Sequence, residues 1–179
     1  MKHTIRQREV VYSGKAFKVE KVHLGLPDGR EGLYDLVNHI GSVTILPLSQ
    51  QGDILFVRQY RVGSENELLE LPAGTLNPGE SPLECARREI QEETGMGARE
   101  FIQLGDIFLA PGYATEHMYL YIARDLFPSN AEGDEDEFIQ VESISARRAY
   151  EMADANEIHD SKTLAVMLLA RQYLEKFLA

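Results

Sequence analysis

Residues 74–96 read GTLNPGESPLECARREIQEETGM, and this stretch decides how the rest of the chain is read. Its first part has the make-up of a loop. Asn77-Pro78-Gly79 is turn chemistry, and Gly74 can take backbone angles that other residues avoid. A helix is predicted to follow. Ser81 stands at its N-cap, Pro82 at the first helical position, and Glu84 three residues after the serine, which is the pattern of a capping box. Gly95 closes the helix as a left-handed C-cap. Glu89, Glu92 and Glu93 then stand at i, i+3 and i+4 and project from one side. Leu83, Ala86 and Ile90 form an adjacent apolar stripe that can seat the helix on a core.

Like charges this close repel by roughly a few tenths of a kcal/mol per pair. One reading is a solvated acidic face balanced by Arg87 and Arg88. The other is a site for a hard cation, since carboxylate oxygens suit Mg2+ or Mn2+ and an ion would remove the repulsion. The carboxylates alone leave both open.

The whole stretch resembles the Nudix box, G-x5-E-x7-R-E-U-x-E-E-x-G-U, where U is a bulky apolar residue. Gly74, Glu80, Arg88, Glu89, Ile90, Glu92, Glu93, Gly95 and Met96 fill every fixed position. The resemblance implies metal-dependent hydrolysis of a nucleoside diphosphate linked to another moiety. It implies two or three Mg2+ ions, with Mn2+ as a substitute, held by the Ala73 carbonyl, Glu89 and Glu93, and Glu92 ligating or supporting them. Arg88 would hold a box carboxylate in place.

Composition sets outer limits. A chain of 179 residues has room for a real core, and 44% hydrophobic with 26% charged residues is the balance of a soluble globular protein. A net charge of −11 argues against a general nucleic-acid binder, which needs a basic stripe to meet phosphates. Cys85 is the single cysteine, so no intrachain disulfide can form. No stretch has the ~20 apolar residues of a membrane span. Residues 1–9 lack the apolar run of a signal peptide. A cytoplasmic location is expected, with no nucleic acid and no membrane among the partners.

Residues 9–49 read as strands, with a hairpin turn at Pro27-Asp28-Gly29. Residues 43–48 and 54–57 are continuous apolar runs suited to burial on both faces. The second run continues into Arg58-Gln59-Tyr60-Arg61, either a solvated strand end or a clamp. In the clamp, guanidinium forks meet phosphate or ribose and Tyr60 stacks on a base. Arg61 corresponds to a substrate contact in the ADP-ribose hydrolases that the chain resembles. Residues 68–73 form a short strand feeding the box.

Past the box, Pro111 stands sixteen residues beyond Gly95 and is followed by Gly112. That placement resembles the ADP-ribose pyrophosphatase subfamily, whose members carry a Glu four residues after the Gly, here Glu116. Many members have Ser before the Pro, where this chain has Ala110. The acidic run 129–137 is a solvated loop by composition. A diphosphate hydrolase also needs a base for its water, and a mobile loop carboxylate is one solution. The resemblance implies that the base and a further metal-side carboxylate come from this loop, two residues apart. Glu135 fits the base and Glu137 the metal side.

Two helices close the chain, one capped by Ser145, and a longer one starting at Asp160 or Ser161 with Leu164, Met167, Leu168, Leu174 and Leu178 on one face. The order of elements is that of an α+β fold with a mixed sheet. The resemblance implies an αβα sandwich over residues 41–179 with an N-terminal antiparallel β extension at 1–40 that forms a homodimer. The expected reaction is hydrolysis of ADP-ribose, or a related ADP-sugar, to AMP and ribose 5-phosphate. Another nucleoside diphosphate sugar such as GDP-mannose is the alternative substrate. A non-catalytic nucleotide sensor is the alternative class, and the intact box carboxylates count against it.

Overall fold

The computed structural model describes residues 2–129 and 138–178. The chain divides into two compact units. One is Met1–Gly41 with Phe108–Met118, and the other is Ser42–Ile107 with Tyr119–Ala179.

In the first unit, β1 (Thr4–Ser13), β2 (Lys18–Gly25) and β3 (Glu31–Asn38) form an antiparallel sheet in that order. The β2–β3 hairpin closes where the sequence places it. Leu26 and Arg30 are bridged by a backbone hydrogen bond, and Gly29 takes the positive φ of 90° that the turn requires. β1 is exposed along its whole length. Residues 110–116 lie against the end of β3: Val37 N–H donates to the Tyr113 carbonyl and Thr115 N–H to the Val37 carbonyl.

The second unit contains the box. One sheet has the order β7-β4-β9-β8, built from Ala73–Thr75, Ser42–Pro47, His117–Pro128 and Met96–Phe108; the last two strands reach into the first unit at their ends. A second sheet places β5 (Asp53–Arg61) between β10 (Gln140–Ser145) and β6 (Asn66–Glu70), antiparallel to both. β4 is buried at every residue, as its unbroken apolar run requires. Its Val43 and Ile45 join Cys85, Ala86 and Ile90 of α1 (Pro82–Thr94), with Ala98, Tyr121 and Ala123, in one core cluster. Alternation sends Thr44 and Leu46 to the opposite face. α3 (Ser161–Ala170) also packs on β4 and contributes nothing to α1's cluster. α2 (Ala146–Asp154) packs on β5 and β10. Helices therefore cover both sides, the αβα sandwich that the resemblance implied.

Five local expectations change. Gly74 and Thr75 belong to strand β7, Ala73–Thr75, paired with Thr44 to Ser42, rather than to the start of a loop. The run 68–73 is interrupted at Leu71-Pro72, where the chain passes from one sheet to the other; Pro72 has no N–H for a ladder. Leu83 is exposed, and Cys85 takes its place on the buried side of α1. The last helix stops at Ala170, continues as a 3-10 turn Arg171–Tyr173, and ends in α4 (Glu175–Leu178). Leu168 falls on the outer side of α3, because Val166, Met167 and Ala170 take the inner one. Among the described residues, no helix is long and apolar enough to cross a membrane.

Candidate functional site

The box helix begins and ends as its sequence dictates. Ser81 accepts from Glu84 N–H, the Glu84 carboxylate accepts from Ser81 N–H at 2.9 Å, and Gly95 is left-handed with φ 67°. Fixing both ends fixes the rotation of the helix, and so the direction of its carboxylates. Glu89 and Glu93 lie on the buried edge of the core stripe, and Glu92 stands further out at the surface.

Both buried carboxylates meet strand β7. Glu93 Oε2 accepts from Ala73 N–H at 3.1 Å. Glu89 packs directly on the Gly74 backbone: a methyl group on Gly74 would stand 1.8 Å from Glu89 Oε1 and 1.9 Å from its Cδ. Gly74 is not among the glycines with positive φ. Its need for glycine is therefore the close approach of a carboxylate, where the sequence had suggested backbone angle. Burying two like charges side by side requires compensation.

Arg88 supplies much of it. Its Nε and Nη2 donate to Glu80 at 2.9 and 3.0 Å, and Nη1 donates to Glu89 at 2.6 Å and Glu92 at 2.9 Å. Nη2 also reaches the Thr75 carbonyl at 3.1 Å. One guanidinium thus ties the loop to three carboxylates, a task that needs the planar fork rather than a point charge. Arg88's pKa is raised, chiefly by its hydrogen bonds to Glu80, so it is a permanent cation. The Arg88 fork, helped by Asn77 N–H, holds the Glu80 carboxyl down to about 2. Cys85, beneath this cluster, has its thiol pushed up to about 12 by burial and the nearby Glu89 charge, which leaves it protonated and inert.

The donor set is all oxygen: buried carboxylates beside a strand backbone. That chemistry fits a hard divalent cation. Among the described residues, no three His, Cys, Asp or Glu side chains are gathered as a ready-made ion cage, and Arg88 reaches between Glu89 and Glu92.

The other singled-out residues are distributed unevenly. Arg58 and Tyr60 share one face of β5 and Arg61 points to the other, because the ladder with β6 runs through them without a bulge. Arg58 pairs with Glu142 on β10 at 2.5 Å, and Tyr60 is exposed. Arg61 donates through Nε and Nη2 to both oxygens of the buried Glu70, at 2.9 and 2.7 Å. The charge of Glu93 acts on Arg61 as well, so this cation lies within electrostatic range of the box. Gly112 and Glu116 belong to the first unit, and a methyl group on Gly112 would meet nothing within 4 Å. Glu135 and Glu137 lie outside the described residues. The residue that leads toward them, Ser129, is anchored on the box helix through the Gly95 carbonyl at 2.8 Å and Gln91 Oε1 at 3.1 Å.

Sequence reasoning missed Glu70, Lys162 and Thr163. Glu70 is fully buried and bonded to Lys162 Nζ at 2.5 Å, and Lys162 also bonds Asp160 at 2.9 Å. Thr163 Oγ accepts from Leu71 N–H at 2.8 Å and donates to Asp160 at 2.6 Å. A glutamate inside the apolar run 68–72 was the one available sign.

Comparison with known proteins agrees with this geometry. A family model described as the NUDIX domain matches residues 38–166. An ADP-ribose pyrophosphatase of Bacillus subtilis is 33% identical, over 94% of this chain and 90% of its own length. A methanol dehydrogenase activator of Bacillus methanolicus is 35% identical, over 93% of this chain and 89% of its own. The crystal structure of an ADP compounds hydrolase superposes with a TM-score of 0.85 at 29% identity, covering 98% of this chain and 96% of that one. With the box complete and its carboxylates braced on β7, the chain belongs to the Nudix family.

Proposed function

We propose that this protein hydrolyses the pyrophosphate bond of ADP-ribose, or a closely related ADP-sugar, to AMP and ribose 5-phosphate. The observation that carries the reading is the pair of buried carboxylates, Glu89 and Glu93, set against the Ala73–Gly74 backbone with Arg88 bracing them. Two negative charges held at low exposure against a strand backbone make a poor structural arrangement and a good seat for cations. The Ala73 carbonyl, Glu89 and Glu93 would hold Mg2+, or Mn2+ in its place, with Glu92 ligating or supporting and two or three ions in all. Bound there, the ions neutralise the dianionic diphosphate and make phosphorus more electrophilic.

The chain's own side chains do the rest. Arg88 keeps Glu80, Glu89 and Glu92 in register, a supporting role that sets the direction of the ligands. Arg61, beside Glu93, meets the diphosphate. Arg58, Tyr60, Gly112 and Glu116 complete substrate binding. Glu135 takes the proton of the attacking water and Glu137 joins the metal side. The names of the similar proteins support the ADP moiety. The protein is taken to act in the cytoplasm.

Turnover against a panel of nucleoside diphosphate derivatives, with Mg2+ or Mn2+, tests this reading. ADP-ribose is expected to be the best substrate, with AMP released. Preference for GDP-mannose would overturn the substrate, and silence across the panel would favour a sensor.

A further inference from the structure

Arg61 is held from behind by a buried charge network that the box chemistry does not explain. Glu70 is 1% exposed and binds the Nε–Nη2 edge of Arg61, while the Arg61 side chain remains 38% exposed. Nη1 makes no hydrogen bond among the described residues, so one edge of the guanidinium is fixed and the other is presented. The Glu70 carboxylate also receives Lys162 Nζ, from the first turn of α3. Burial alone would push the Glu70 carboxyl up, but the Arg61 hydrogen bonds and the Lys162 charge outweigh it and hold it below its ordinary value. Asp160 binds Lys162 in turn, and it is itself compensated as the N-cap of α3, where Thr163 N–H donates to it at 2.9 Å.

The charge count of this network matters. Arg61, Lys162, Glu70 and Asp160 together are formally neutral, two charges of each sign, and the Asp160 charge acts on Arg61 as well. Without Lys162 the remaining three would carry a net negative charge, in a protein whose net charge is −11. Lys162 thus offsets Glu70, so that Arg61 is not outweighed by its own anchor when a diphosphate approaches through a field that is repulsive on the whole.

We propose that Lys162, acting through Glu70, is a positioning residue for Arg61: it orients the exposed edge of the guanidinium and keeps its charge unquenched for the substrate's diphosphate. This rests on the reading that Arg61 meets the diphosphate. The bland alternative is a buried ion pair that only ties α3 to the end of β6, a role Thr163 already performs through Leu71 N–H.

The test uses Lys162→Met, Lys162→Gln and Lys162→Arg in the full chain. It reads ADP affinity by calorimetry, KM and kcat on ADP-ribose with Mg2+, and Tm. Lys162→Met is expected to weaken ADP binding and raise KM by about tenfold while kcat stays within about twofold, the size expected for one partly screened charge at short range. Lys162→Arg should restore both. Lys162→Gln keeps a donor to Glu70 and loses only the charge, so it should bind ADP as poorly as the Met variant even where the Met variant is too unstable to purify. A Lys162→Gln protein with wild-type ADP affinity and KM would overturn the proposal, whatever its Tm. If the wild type hydrolyses nothing in the panel yet ADP affinity still falls in Lys162→Gln, the reading of the reaction fails and the role of Lys162 stands.

Discussion

At Gly74 one missing methyl group decides whether Glu89 can lie against the backbone. Gly74→Ala would drive a Cβ into the Glu89 carboxylate and force it away from the β7 backbone at Gly74. Displacement of a reacting constellation by about 1 Å is enough to cost ~10²-fold in rate. The variant should therefore stay folded, with its Tm lowered by a few degrees or less, while turnover falls by about two orders of magnitude. Circular dichroism and a rate assay check both halves, and unimpaired turnover would show that Glu89 does not work from this position. The sequence named Gly74 for the wrong reason. Pattern matching identifies that a glycine is required, but a close approach between residues fifteen apart in the chain exists only once the helix has been packed on the strand. Arg61 and Glu70 show the same limit: a buried ion pair across a strand ladder depends on register, which no single stretch encodes.

The element that carries the site, α1, was legible almost in full because its determinants are local. The capping box, Pro82 and Gly95 act within a few residues, so Ser81 to Gly95 could be bounded from composition alone. Its buried face was less legible: Leu83 and Cys85 exchange places because the sheet underneath, not helical periodicity, chooses which side faces in. The loop leading into the helix depends on Glu80. Its carboxyl lies well below the ordinary 4.5, at about 2, because Arg88 and Asn77 N–H favour the ionised form. A carboxyl depressed on folding stabilises the fold above its unfolded value and loses that contribution as pH falls. The stability difference between the wild type and Glu80→Gln should thus be largest above about pH 4.5 and shrink as pH drops toward about 2. Urea denaturation at several pH values measures it. A difference that does not change with pH would mean Glu80 is not clamped by Arg88.

For the molecule as a whole, the order of strands and helices was enough to predict layers, and the αβα arrangement follows from β4 being apolar on both faces. That Gly112 and Glu116 fall in a different compact unit from the box was not readable, since Phe108–Met118 joins the N-terminal strands through long-range contacts, at Val37 and through Thr115 with Asn38 and His39. The N-terminal sheet exposes Ile5, Val10, Val11, Tyr12, Leu33 and Tyr34. So much apolar surface on a three-stranded sheet supports the proposal that it pairs with a second copy. Sedimentation should give a mass about twice 20.2 kDa, and a 20.2 kDa species at micromolar concentration would refute the homodimer. The central claim, that the box carboxylates run a metal-dependent hydrolysis, has a more direct test. Glu93→Gln keeps an oxygen for Ala73 N–H and removes only the charge. AMP release from ADP-ribose with Mg2+, measured for the wild type and Glu93→Gln side by side, should fall by about three orders of magnitude or more in the variant at unchanged circular dichroism. A Glu93→Gln protein that releases AMP at the wild-type rate would contradict the account.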